Sequence, residues 1–121
     1  MGFSVIETVN AIEEARHNLP PELRGSSVFY NGLPFGAIYR DRKTRDRALE
    51  FITSYLQEKG FDISVIVIGG RSNYMPNLDE EAKNLELRKR FGHERDLPDA
   101  FNRMVRINQK PYIAVPASAA G

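Results

Sequence analysis

The residues best suited to chemistry follow the most apolar stretch of the chain, in the run Gly69-Gly70-Arg71-Ser72-Asn73-Tyr74. Paired glycines let backbone come close to a ligand, and the planar fork of Arg71 matches phosphate or carboxylate oxygens. Ser72 and Asn73 add neutral donors, and Tyr74 offers a ring on which a base could stack. In open α/β sheets, ligands bind beyond the carboxyl ends of strands, where loops of this kind converge. The run matches neither a P-loop nor a dinucleotide fingerprint, so it suggests an anion without naming one. The competing reading is a plain turn with a solvated arginine.

A second set of candidates lies thirty residues earlier. Arg40, Arg42, Lys43, Arg45 and Arg47 against Asp41 and Asp46 put a net +3 into the eight positions 40–47. The spacing predicts the end of a strand and the start of a helix here. A helix start already favours anions and mildly disfavours basic side chains, so helix stability gives no reason for arginine. Arg40, Arg42, Lys43 and Arg45 are therefore expected to line the rim of an anion site. The bland alternative pairs Asp41 and Asp46 with their neighbours and leaves the rest in water.

Arg103, Arg106 and Lys110, three and four residues apart, form a third set and a secondary basic face along a helix and its exit. Arginine outnumbers lysine 12 to 5, a ratio that suits phosphate and carboxylate recognition. Catalytic groups are scarce. The chain has 2 histidines. His17 sits beside Glu13 and Glu14 near a helix end, where the dipole suits its cation. His93 lies in a polar loop with Glu94 and Asp96, and no partner triad can be named for it. Asp62, Asp79, Glu80 and Glu81 with Lys83 invite a nuclease reading. Glu81 and Lys83 fall on one helix and point apart, which counts against it.

Composition narrows the classes further. The chain has 121 residues, no cysteine and no tryptophan, 41% hydrophobic and 27% charged residues, and a net charge of +1. That length suits one domain with one modest core. Absent cysteine excludes a disulfide scaffold, a zinc knuckle and a thiol nucleophile. The charge excludes a uniformly basic protein but not a basic face, because the first 24 residues hold four acids against two bases. The longest apolar run, Val65 to Ile68, is far short of the roughly 20 residues that span a bilayer. No secretory signal is visible, and a cytoplasmic location is expected.

The elements that must position these residues are well punctuated. Ser4 and Glu7 form a capping box for a helix over 4–18, with Val5, Val9, Ile12, Ala15 and Leu19 as its inner stripe and Arg16 on the solvent side. Asn31-Gly32 predicts a type I′ hairpin over 27–40, with Pro34 beside an edge or bulge and Gly36 as the bulge. Thr44 is read as the cap of a helix over 44–59, with Gly60 its left-handed end. Residues 61–68 read as a central strand covered on both faces, completing a βαβ unit. Helices follow over 78–91, with Leu78, Ala82, Leu85 and Phe91 inward, and over 97–107, capped by Asp96. A short strand over 111–115 ends the pattern.

The fold expected is α/β or α+β: a single domain, 1–121, with a mixed sheet of about four strands, an N-terminal hairpin and about four helices. The small-residue tail 116–121 frays unless another subunit holds it, and a homo-oligomer is expected on that ground. The function expected is a non-enzymatic binding module for an anionic ligand: a nucleotide, a sequestered signalling nucleotide, or nucleic-acid phosphate. A protein-interaction module, such as a small inhibitor or accessory subunit, is one alternative, and a small enzyme using His93 is another. No metal, cofactor or membrane is implied.

Overall fold

The computed structural model describes residues 4–70, 78–92 and 94–115. Helix α1 (Val5–His17) starts where the sequence predicts. The Ser4 hydroxyl accepts from the Glu7 amide at 3.1 Å, and the Glu7 carboxylate accepts in return from the Ser4 amide. Its stripe of Val5, Val9, Ile12 and Ala15, continued by Leu19, is buried. A single helical turn, α2 (Pro21–Arg24), then leads into the sheet.

Strands β1 (Ser26–Tyr30) and β2 (Leu33–Ile38) form the expected hairpin. Asn31 and Gly32 both have positive φ, 54° and 79°, as a type I′ turn requires. Val28 pairs with Gly36 and Phe29 with Pro34, so the extra residue is Phe35 rather than Gly36. Gly36 has a different task. A Cβ there would lie 2.5 Å from the Ile113 carbonyl oxygen, so glycine lets the neighbouring strand come close.

Helix α3 (Arg42–Glu58) begins two residues before the predicted start. Asp41 is the cap, its carboxylate accepting from the Thr44 amide at 2.8 Å, and Thr44 sits inside the first turn. The other end is as expected. The Phe61 amide donates to Leu56 and the Gly60 amide to Gln57, the two bonds of a Schellman ending, with Gly60 at φ 83°.

The stretch 61–68 departs from expectation. Asp62 accepts from the Ser64 amide and hydroxyl at 2.9 and 2.7 Å, which winds Ile63–Val65 into a 3₁₀ turn. Only β3 (Val67–Gly69) is strand. It lies at one edge of a four-stranded antiparallel sheet ordered β1-β2-β4-β3. The centre is taken by β4 (Tyr112–Ala114), whose residues are all buried. Strands β2 and β3 both run antiparallel to β4, so they are parallel to one another but not adjacent. The expected βαβ unit is thus split by β4. The free side of β3 is met by Gly92, whose amide donates to the Ile66 carbonyl at 2.8 Å.

Helix α4 (Leu78–Lys89) carries the sharpest reversal. Leu78 is 88% exposed, Leu85 is 56% exposed, and Ala82 is exposed with them. The stripe read as inward faces water. Phe91, just beyond, is buried as expected. A 3₁₀ turn at Glu94–Asp96 replaces the predicted Asp96 cap. Helix α5 (Asp99–Asn108) starts after Pro98, whose carbonyl accepts from the Asn102 amide at 2.8 Å. Phe101 of α5 meets Phe35 and Tyr30 edge-on, with ring centroids 6.3 and 5.7 Å away, and so joins α5 to the hairpin. The result is an α+β domain. Among the described residues no helix is long and apolar enough to cross a membrane.

Candidate functional site

The start of α3 and the turn before β4 bring together one cation from each of two basic sets, Arg40 and Lys110. A cleft of about 280 Å³ opens between α2 and the start of α3. Pro21, Glu22, Gly25 and Ser26 line it together with Arg40, Thr44 and Lys110. Tyr39 and Ile38 complete the lining. Arg40 follows β2 directly, and its side chain is 78% exposed. Its Nε lies 3.3 Å from the Thr44 hydroxyl and 3.4 Å from the Asp41 carboxylate. Lys110 reaches the same cleft from 70 positions further along the chain. It stands in the turn where Gln109, at φ 51°, ends α5.

The helix start and the nearby cations favour negative charge at Asp41. Partial burial would raise the Asp41 carboxyl. The Thr44 amide and hydroxyl, with Arg40 and Lys43, outweigh that and hold it below the ordinary carboxylate value. Asp41 is therefore ionised at neutral pH and already serves the helix start. Glu22, part of the cleft lining, is an exposed acceptor. The cleft thus offers two cations, a serine hydroxyl and one carboxylate. It suits a ligand that carries an anionic group and a hydrogen-bond donor together.

Tyr39 forms the buried floor, and no hydrogen-bond partner for its hydroxyl is present among the described residues. Burial pushes its phenol up to about 12, against the opposing pull of the Arg16 guanidinium. Its ring is too enclosed to serve as a stacking platform, as are Phe91, Phe101 and Tyr112.

Arg45 does not belong to the rim. Its side chain is 2% exposed, with Nε 2.6 Å from the Asp46 carboxylate and an Nη1 that donates to the Gly69 carbonyl at 3.2 Å. It ties the first turn of α3 to the end of β3. Arg16, read as solvent-facing, is buried as well. It donates to the carbonyls of Arg24 and Gly25 and to the Ser27 hydroxyl, and pairs with Glu13. A guanidinium carries five donors, which is why it can be buried where backbone carbonyls converge.

Gly69 and Gly70 lie close against neighbouring protein. A Cβ on Gly69 would meet the Tyr112 ring, and one on Gly70, at φ 93°, would fall 2.1 Å from the Lys110 carbonyl oxygen. Their small size lets β3 close on β4. The same contact sets Gly70 beside Lys110. Arg71, Ser72, Asn73 and Tyr74 lie outside the described residues, as do His93 and the tail 116–121.

Arg42 is half-buried, and Lys43 and Arg103 are exposed. None of the three is part of the cleft lining. For Arg106 the structure describes the backbone within α5. His17 is 73% exposed and 3.7 Å from Glu13, as a surface histidine near a helix end. Among the described residues no three histidine or acidic side chains are grouped to hold a metal. Sequence reasoning missed Glu22 and Ser26 because α2 and β1 carry no motif that points to a ligand, and it took Thr44 for a helix cap alone. Comparison with family models, curated proteins and solved structures finds no match to this chain.

Proposed function

We propose that the chain is a binding module that holds an anionic small molecule in the cleft between α2 and α3. One observation carries this reading. Arg40 and Lys110, far apart in sequence, line one concave surface with the Ser26 and Thr44 side chains. Its volume of about 280 Å³ is near the lower end of the 300–1,000 Å³ usual for small-molecule sites. That favours one phosphate-bearing unit, such as a mononucleotide, over a long polymer. Glu22 would accept from an amino or sugar hydroxyl group set away from the anionic group of the same ligand, a donor that inorganic phosphate lacks.

The test is titration of adenosine and guanosine monophosphates, with inorganic phosphate as control, followed by calorimetry and amide chemical shifts. Binding at micromolar to millimolar Kd, with shifts at Ser26, Arg40, Thr44 and Lys110, is expected. Arg40→Ala and Lys110→Ala each weaken it about tenfold or more, the loss of a charge-assisted bond of about 1.5–3 kcal/mol, and together about a hundredfold or more. Equal affinity in the double variant, or no binding of any of the three anions at millimolar concentration, overturns the proposal.

A protein-interaction role is the second reading. It draws on Phe29, 55% exposed on the edge strand β1.

A further inference from the structure

Helix α4 presents Leu78, Ala82 and Leu85 to water, at spacings of four and three residues. That spacing is the seam of a helix that packs on another helix. A lone exposed leucine is ordinary, but three apolar positions in register along one stripe are the pattern that normally becomes buried.

The charges of the same helix indicate what covers it. Asp79, Glu80 and Glu81 occupy its first turn, and Arg88, Lys89 and Arg90 its last turn and exit. Acid first and base last also suits the helix's own dipole, so charge alone would need no partner. The leucines have no such explanation. A second α4 laid parallel would set acid against acid and base against base. Laid antiparallel, each acidic end meets a basic end. Positions whose numbers add to 167 then face each other, so Leu85 lies opposite the small Ala82 of the other copy, twice, and Leu78 lies against the alkyl stem of Lys89.

We propose that α4 is a self-association surface, on which two copies of this chain pair antiparallel about a two-fold axis near residues 83 and 84. A closed pair of this kind is the commonest form of assembly, and both copies use one patch. The helix has 12 residues and spans about 18 Å. So short a seam buries less than the ~1,200 Å² of a stable interface, and the pair is weak, with a Kd of about 10–100 µM. The cleft described above does not take part, and ligand binding there survives loss of the pair.

Sedimentation equilibrium of the full chain from about 5 to 500 µM tests this directly, a range set by that expected Kd. Self-association that Leu85→Glu abolishes, with circular dichroism unchanged, is the expected result. Two charge variants add a positive test. One carries Arg88→Glu, Lys89→Glu and Arg90→Glu, and the other Asp79→Lys, Glu80→Lys and Glu81→Lys. Each alone is monomeric, and mixing them restores the pair. A wild-type chain monomeric throughout, a pair that survives Leu85→Glu, or no association of the mixed variants overturns the proposal. A pair lost on Phe29→Lys but not on Leu85→Glu would assign the contact to β1 instead.

Discussion

Arg45 and Arg40 stand five positions apart in one basic run, and the fold uses them in opposite ways. Arg45 is enclosed, and its donors are directed to the Gly69 carbonyl and the Asp46 carboxylate. Arg40 reaches into water at the mouth of a cleft that Lys110 also lines. Arg16 repeats the buried pattern at the entry to β1, where three backbone or hydroxyl oxygens converge. Net charge along a sequence therefore overstates the charge a surface offers. What separates the classes is whether carbonyls left over by the folding chain need a donor. Where they do, a guanidinium is retained inside.

The comparison breaks most visibly at the buried members. Arg45→Ala leaves the Gly69 carbonyl and the Asp46 carboxylate without that donor and is expected to cost about 3 kcal/mol, read from urea unfolding. Arg16→Ala should cost about 2 kcal/mol, because its carbonyl acceptors lie nearer solvent. A loss under about 0.5 kcal/mol at both sites, the range of ordinary surface changes, would place these arginines with Arg40.

A smaller effect comes from the floor of the cleft. The Tyr39 phenol is held near 12 in the folded chain, above its ordinary value of 10.0. A raised value means the folded state holds its proton more tightly. That stability is fully present below pH 10 and is lost as pH rises toward 12, by at most about 2–3 kcal/mol. Tyr39→Phe should flatten this part of the stability profile while leaving pH 7 stability within about 1 kcal/mol, because it removes a buried hydroxyl rather than a bonded one. Loss of more than that at pH 7 would show that the Arg16 guanidinium depends on the phenol oxygen.

The smallest effect is the most telling. Arg40→Ala should change stability by no more than about 0.5 kcal/mol, measured by thermal unfolding, while weakening anion binding. Stability unchanged and affinity reduced would complete the contrast with Arg45.

The parts legible in the sequence are those decided within a few residues. Ser4 with Glu7, Asn31 with Gly32, and Gly60 after Leu56 each satisfy their own local backbone groups, so composition alone predicts them. Placement across the sheet was hidden. Val65–Ile68 is the most apolar run, yet the Asp62–Ser64 turn shortens the strand, and it lies at an edge. Residues 111–115 are few and unremarkable, yet they are buried along their whole length. Burial depends on what a segment packs against, and alternation within the segment reports only its own faces. The site was half legible for the same reason. Arg40 and Lys110 were visible as cations, but not that one cleft would hold both, nor that Arg45 would turn inward.

The position of β4 has a kinetic consequence. Among the described residues, strands β2 and β3 make no ladder with one another, and Tyr112–Ala114 pairs with both. During synthesis the hairpin and the first helices can form early, but the sheet has to wait for its centre to emerge from the ribosome. Until then the inner edges of β2 and β3 stay unpaired, and the closing contacts span long stretches of chain, the situation in which folding is slow and exposed edges invite aggregation.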